Sequence, residues 1–192
     1  MASTVPGDLA EFADFIQVNA PLGAYTQLRI GGPAEFLAQP RSREELVAFT
    51  KRCFAKQMRF RILGNGGNLL VHDEGVKGIV MRLANPAFTQ VTIDGKRVKA
   101  GSGASLASVI AGAAKAGLAG LETLVGLPGT IGGALMLNAG DRNSDIGQFV
   151  RRVEVLDSQA VIQVREHDEL RFSSTGTMLD DRGSFVTSGG RV

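Results

Sequence analysis

Two periods of hydrophobic and polar positions run along this chain, and the places where one gives way to the other mark its elements. Leu46, Phe49, Cys53 and Phe54 fall on one face at helical spacing. Ser42 precedes them as an N-cap, and Glu45 follows it to complete a capping box, so the pattern predicts an amphipathic helix to about residue 57. A short helix is expected over residues 8–16. Another is expected where Leu106, Val109, Ile110 and Ala113 point one way, with Ser105 as its cap and Gly117 as its stop. Strand patterns occupy Glu35–Gln39, Arg59–Leu63, Leu69–Val71, Gly78–Leu83 and Ser184–Thr187, and Asn19–Gly32 reads as extended chain and turns. Thr89–Ile93 and Arg97–Ala100 flank Asp94-Gly95, a hairpin signal, and Val150–Leu156 with Ala160–Arg165 predicts a second hairpin.

Frequent hairpins mixed with helices give an α+β chain in which antiparallel pairing is expected. The pattern changes character near Asn85, which predicts two α/β subdomains, residues 1–84 and 85–192. No internal repeat is visible.

Composition narrows the function. The 21 basic and 19 acidic residues leave a formal charge of +2, too small and too dispersed for a nucleic-acid or membrane-surface partner. The basic pairs Lys51-Arg52 and Arg151-Arg152 read as solvated faces. One cysteine, Cys53, allows neither an intrachain disulfide nor a cysteine-based zinc site, and it lies on an apolar helix face, where burial makes thiols inert. Residues 1–10 have neither the basic start nor the apolar core of a signal peptide, and no apolar run is long enough to span a bilayer, so the cytoplasm is the expected compartment. No metal site is expected.

The 25 glycines are the distinctive feature, because they gather at the ends of apolar segments. Gly64-Asn65-Gly66-Gly67-Asn68 can turn several amides into one concavity, a nest for anions, or can serve as a tight turn between strands. A strand pattern follows it rather than a helix, which argues against a dinucleotide fingerprint, and no Gly-Lys-Ser/Thr ending makes it a P-loop. Gly126-Leu127-Pro128-Gly129-Thr130-Ile131-Gly132-Gly133 offers backbone donors and a hydroxyl to a flat or phosphorylated ligand, or close helix–strand packing. Asn138-Ala139-Gly140 can contact a ligand or close a turn. Gly101-Ser102-Gly103-Ala104-Ser105 lacks the last glycine of a phosphate fingerprint.

Catalytic sets are scarce. His72 and His167 are the only histidines and read as surface residues; His72-Asp73-Glu74 lacks the cysteines of a zinc deaminase, and there is no Gly-x-Ser-x-Gly elbow. Glu44-Glu45 and Asp180-Asp181 read as solvated.

Taken in order, the loops resemble one family. They are Asn19-Ala20-Pro21-Leu22, Thr26, Arg29-Ile30-Gly31-Gly32-Pro33-Ala34, Ile62–Val71 with its glycine run, Ala116-Gly117-Leu118, Leu121-Glu122, Gly126–Ala134 and Asn138-Ala139-Gly140. The ordered set is similar to the UDP-N-acetylenolpyruvoylglucosamine reductases, flavoenzymes of peptidoglycan precursor synthesis, over residues 19–157.

The resemblance implies the FAD-binding fold of the vanillyl-alcohol-oxidase (PCMH) type, with NADPH as reductant and a nucleotide-sugar substrate. It implies that Leu63, Gly64, Asn65, Gly66, Gly67, Asn68 and Leu69 cradle the pyrophosphate. Leu127, Pro128, Gly129, Thr130, Gly132 and Gly133 would line the flavin and adenine side, with Arg29, Ile30, Gly31, Gly32, Asn138, Ala139 and Gly140 as further walls.

Three departures follow from the same likeness. The substrate-binding third domain, source of the family's serine and glutamate, is expected to be absent. Ser174 and Thr175 fall where the family has tyrosine and its substrate-polarising arginine, with Arg171 nearby but out of register. Asp141-Arg142-Asn143 replaces a stretch of small and aromatic residues. Two other readings stay open: a flavin-binding module without turnover, and another oxidoreductase of the same flavin fold. A truncated chain would leave apolar surface at an edge near 184–192.

Overall fold

The computed structural model describes residues 4–141, 144–173, 176–178 and 185–189. The chain divides into two compact units, Met1–Asn85 and Pro86–Val192.

In the first unit a mixed sheet runs in the order β1 (Ile16–Pro21), β2 (Pro33–Ala38), β4 (Val76–Met81), β3 (Phe60–Ile62). β1 pairs antiparallel with β2, whereas β2 and β3 both run parallel to β4. Helix α1 (Arg43–Ala55) makes the crossover from β2 to β3. It starts as expected: the Ser42 hydroxyl accepts the Glu45 amide. The Glu45 carboxylate reaches back to the Arg41 amide and guanidinium. Leu46, Phe49, Thr50 and Cys53 are buried along it, and Phe54 is half-buried against the Phe60 ring. Phe49 packs edge-on against Phe12 and Phe15. Those two rings lie on a 3-10 helix, Gly7–Phe15. Its buried residues Leu9, Phe12 and Phe15 recur every third position, the period of a 3-10 helix rather than an α-helix. Arg52 pairs with Glu11 and Lys56 with Asp8, closing the exposed side of this packing.

Parallel neighbours cannot be joined by a hairpin, so β3 reaches β4 through residues 63–75. No strand forms at Leu69–Val71, against expectation. Leu69 and Leu70 are 47% and 73% exposed, and the segment meets no sheet edge. An irregular connection of this length in a compact unit is uncommon unless it is functional.

In the second unit β5 (Val91–Asp94) and β6 (Arg97–Gly101) form the first expected hairpin, with Gly95 at φ +54° in the turn. Helix α2 (Pro86–Thr89) precedes it, so Thr89 is helical rather than the start of the strand. Helix α3 (Leu106–Lys115) buries Leu106, Val109, Ile110 and Ala113, as the pattern predicts. It ends in a left-handed Gly117, with the Leu118 amide on the Ala113 carbonyl and the Gly117 amide on that of Ala114. Ser105 holds the cap position but its side chain makes no capping bond. Helix α4 spans Ile131–Leu137. β7 (Arg152–Leu156) and β8 (Ile162–Glu166) form the second hairpin, and β9 (Arg171–Ser173) with β10 (Gly176–Met178) a separate ribbon.

The last strand, β11 (Phe185–Gly189), pairs on both sides, so the five-stranded antiparallel sheet runs β5-β6-β11-β7-β8. Its backbone is therefore interior to the sheet; the apolar surface expected near 184–192 concerns side chains and residues outside those described. Val98, Leu106, Val109, Leu124, Leu135, Val153 and Val155 anchor the core beneath. Among the described residues no helix is long and apolar enough to cross a membrane, and no cluster of side chains could hold a metal ion.

Candidate functional site

The candidate loops of the first unit meet where only glycine fits. A Cβ on Gly66 would lie 2.3 Å from the Tyr25 carbonyl oxygen, and one on Gly32 would lie 2.1 Å from that of Asp73. One on Gly31 would lie 2.5 Å from the Val71 Cβ, and one on Gly75 would lie 2.0 Å from the Pro33 carbonyl oxygen. Gly31 and Gly66 also hold φ at +118° and +66°, a region costly for a residue with a Cβ. Hydrogen bonds then tie the loops together. The Gln27 amide donates to the Gly66 carbonyl at 3.2 Å and the Gly32 amide to the His72 carbonyl at 2.8 Å. The Thr26 hydroxyl, buried, bridges the carbonyls of Gly23 and Ile30. The family-like segments 26–34 and 63–75 are thus one packed assembly.

What this assembly leaves open is chemically specific. The Asn65 side chain accepts the Gly67 amide, an Asx turn that shapes the loop. The amides of Gly64, Asn65, Gly66 and Asn68 have no partner among the described residues. Consecutive donors without acceptors on a loop bent by glycine form an anion nest. Around them Leu28, Ile30, Leu69 and Leu70 are exposed apolar side chains, while Leu63 is buried beneath. Arg29, at φ +55°, is exposed. Diphosphate oxygens and a flat apolar ring system fit that combination.

In the second unit, residues 126–133 pack on the loop at 101–105. The Leu106 amide donates to the Gly129 carbonyl, the Ile131 amide to that of Ala104, and the Gly132 amide to that of Ser102 at 2.7 Å. A Cβ on Gly132 would stand 3.0 Å from the Ser102 Cβ. The Thr130 hydroxyl caps α4 by accepting the Gly133 amide, so it serves the helix first. Gly126 and Gly129 have φ of +90° and +148° with open space where a Cβ would be, and the amides of Gly129 and Thr130 have no partner among the described residues. The Ser102 hydroxyl is buried and makes no hydrogen bond among the described residues, an arrangement uncommon in native structures. Sequence reasoning weighed that loop and did not single out Ser102, because nothing in a serine's identity announces an unpaired hydroxyl.

Asn138 closes α4 in the left-handed conformation, φ +46°. Its Oδ1 accepts the Gly147 amide and its Nδ2 donates to the Ser173 carbonyl. Its side chain is spent inside the fold, and the turn reading accounts for it. Ala139 packs on the core, and Gly140 sits so close to Ser144 that a Cβ would lie 2.3 Å from its carbonyl oxygen. Arg171 opens β9 with its side chain exposed, while Phe172 turns inward against Gly147 and His167. Thr175 and Ser174 lie outside the described residues, as do Arg142, Asn143 and Asp180-Asp181.

Other candidates recede. Cys53 is fully buried, and burial pushes its thiol up to about 12. His72 is exposed, and its backbone carbonyl accepts the amides of Gly32 and Gly75. His167, exposed as well, stacks on Phe172 and touches the Val150 carbonyl through Nδ1. A cavity of about 440 Å³, walled by Leu118, Leu121 and Phe149 and rimmed by Lys96 and Arg151, includes none of the candidate cofactor residues.

Residues 34–164 match the FAD binding domain family. The chain is 41% identical over 175 residues to UDP-N-acetylenolpyruvoylglucosamine reductase of Moorella thermoacetica, covering 90% of this chain and 56% of that protein. It is 37% identical over 167 residues to the protein of the same name from Caldanaerobacter subterraneus, covering 87% and 55%. The chain therefore spans about half the length of these curated relatives. Among solved structures, UDP-N-acetylenolpyruvylglucosamine reductase from Thermus caldophilus superposes with a TM-score of 0.77 at 38% identity, over 93% of this chain and 62% of that one. The glucose dehydrogenase Phl p 4 (TM-score 0.65, 12% identity, 97% and 43%) and a solvent-stable cholesterol oxidase (0.65, 15%, 97% and 39%) share the fold. The chain belongs to the FAD binding domain family, and within it to the flavin-binding portion of the UDP-N-acetylenolpyruvoylglucosamine reductases.

Proposed function

We propose that this chain holds FAD in an NADPH-dependent reductase acting on an enolpyruvyl nucleotide sugar in peptidoglycan precursor synthesis. The observation that carries the reading is the row of unpartnered amides at Gly64, Asn65, Gly66 and Asn68, held open by glycine contacts that no other residue could make. These amides bind the diphosphate, with Leu63 packed behind the loop and Gly67 completing its bend. Leu69 and Ile30 cover apolar parts of the cofactor, and Arg29, Gly31 and Gly32 form the wall beside them. In the second unit the backbone of Leu127, Pro128, Gly129, Thr130, Gly132 and Gly133 receives the flavin and adenine side. Asn138, Ala139 and Gly140 support that wall through their backbone. Bound FAD supplies hydride chemistry between a nicotinamide and a carbon–carbon double bond.

A second reading, a flavin-binding module without turnover, is favoured by one feature: Thr175 stands where the relatives' arginine is expected, and Arg171 is exposed on a ribbon out of register with it. Absorbance decides the first question. The purified chain should be yellow or become so with FAD, and a colourless protein that leaves added FAD unquenched would end both readings. Anaerobic NADPH decides between them: bleaching of the flavin supports the reductase, and an unchanged spectrum supports the module.

A further inference from the structure

Arg82 follows directly after β4, half-buried, and nothing in the sequence pattern marks it. Its Nε donates to the Gly64 carbonyl at 3.4 Å, and its guanidinium carbon lies 4.9 Å from the centre of the Tyr25 ring. Tyr25 is the residue whose carbonyl oxygen forbids a Cβ on Gly66. Arg82 therefore touches the glycine loop from two sides, at its first residue and at the backbone on which its middle residue rests. Among the described residues no carboxylate pairs with it. A guanidinium taken partly out of water without a counter-charge is unfavourable by itself. Its neighbours in the loop are the four amides that also lack acceptors. An anion bound at those amides would also bring a counter-charge to the loop that the guanidinium touches.

We propose that Arg82 is a positioning residue for the loop at 64–68: it clamps the Gly64 carbonyl against Tyr25, turns the loop amides outward, and adds the charge that makes the nest selective for a diphosphate. The proposal rests on the FAD reading for the identity of that diphosphate. The two roles are separable by chemistry. Lysine keeps the charge and loses the flat stacking surface and the forked donors. Methionine keeps much of the stem and loses both.

The test is a titration of FAD, followed by flavin fluorescence, at low and at high salt. It uses the full chain with Arg82→Met, Arg82→Lys and Tyr25→Leu. Arg82→Met should weaken FAD roughly tenfold or more at low salt, the scale of one lost charge-assisted contact, and should flatten the dependence on salt. Arg82→Lys should restore the salt dependence but not the full affinity. Tyr25→Leu should lower affinity with the salt dependence intact. The proposal is overturned if Arg82→Met binds FAD like the parent with the same salt dependence. It is overturned equally if Met and Lys lose the same affinity with unchanged salt dependence, the mark of a purely structural side chain. A parallel titration with inorganic pyrophosphate separates the two levels. If the parent ignores FAD yet binds pyrophosphate in an Arg82-dependent way, the anion site stands and the flavin reading falls; if it binds neither, both fall.

Discussion

Gly66→Ala, compared with Gly95→Ala, isolates what the glycine loop contributes. Both glycines have positive φ, +66° and +54°, so both substitutions incur the left-handed penalty of about 1–2 kcal/mol. Both also gain about 0.4–1 kcal/mol because alanine restricts the unfolded chain. They differ in space. A Cβ at 95 meets nothing within 4 Å, whereas one at 66 lies 2.3 Å from the Tyr25 carbonyl oxygen and 2.7 Å from the Thr26 Cα. Those are backbone atoms, so no rotamer change relieves the overlap. The loop must lift, breaking the Gln27 amide bond to the Gly66 carbonyl, which adds about 0.5–1.5 kcal/mol, and carrying the open amides with it. Gly95→Ala should therefore cost about 0–1.6 kcal/mol in urea unfolding and leave FAD affinity unchanged. Gly66→Ala should cost about 0.5–1.5 kcal/mol more than Gly95→Ala and weaken FAD at least tenfold. Equal unfolding free energies and equal FAD affinities for the two variants would refute the argument that this close approach shapes the binding loop.

Ser102→Ala removes a buried hydroxyl that has no partner, so stability without flavin should hold or rise by up to about 1 kcal/mol while FAD binding weakens; a loss of stability with unchanged binding would show that the hydroxyl serves the fold. Asn138→Gly keeps the left-handed turn but loses the bonds to the Gly147 amide and the Ser173 carbonyl, so urea unfolding should report a loss of about 1–3 kcal/mol; no change would mean that the turn alone fixes this segment. The Cys53 thiol sits at about 12 when folded against 9.0 for a free thiol. The unfolded chain therefore releases that proton first as pH rises. Between those two values the Cys53 contribution to stability should fall, by at most about 1.4 kcal/mol per pH unit. Comparing Cys53→Ala with the parent across that range checks the sign. The folded chain should also leave a thiol reagent unreacted near neutral pH until urea is added.

Much of this architecture was legible because local chemistry and tertiary packing agree. Ser42 and Glu45 do what a capping pair does, the four residues predicted inward on α3 are the buried ones, and Asp94-Gly95 turns a hairpin. The misreadings share one cause. Leu69, Leu70 and Val71 carry a strand's composition, but a strand exists only where a neighbour offers its edge, and here Leu69 and Leu70 are exposed while Val71 packs against Gly31. Ser105 has a capping residue's identity, yet its backbone pairs in a bridge with Thr130 of the second glycine run and its hydroxyl makes no capping bond. The place of β11 in the middle of its sheet could not be read from a pattern that shows a last strand and not its partners.

The same cause explains which site residues a sequence can reveal. Gly31, Gly32, Gly66 and Gly140 are readable because glycine is the one residue that those contacts admit, so composition records the geometry. Arg82, Tyr25 and Ser102 are not, because each is an ordinary residue whose meaning lies in what it lacks: a counter-charge for Arg82, an acceptor or donor for Ser102, and for Tyr25 any role apart from the loop and the guanidinium it touches. The glycines are fixed by backbone contacts, and a sequence pattern records them for that reason. The charge behind the loop is fixed by no such backbone contact, so the pattern does not record it. The charge proposed at Arg82 is therefore read from the contacts of its guanidinium with Gly64 and Tyr25, and the salt dependence of FAD binding is what tests it.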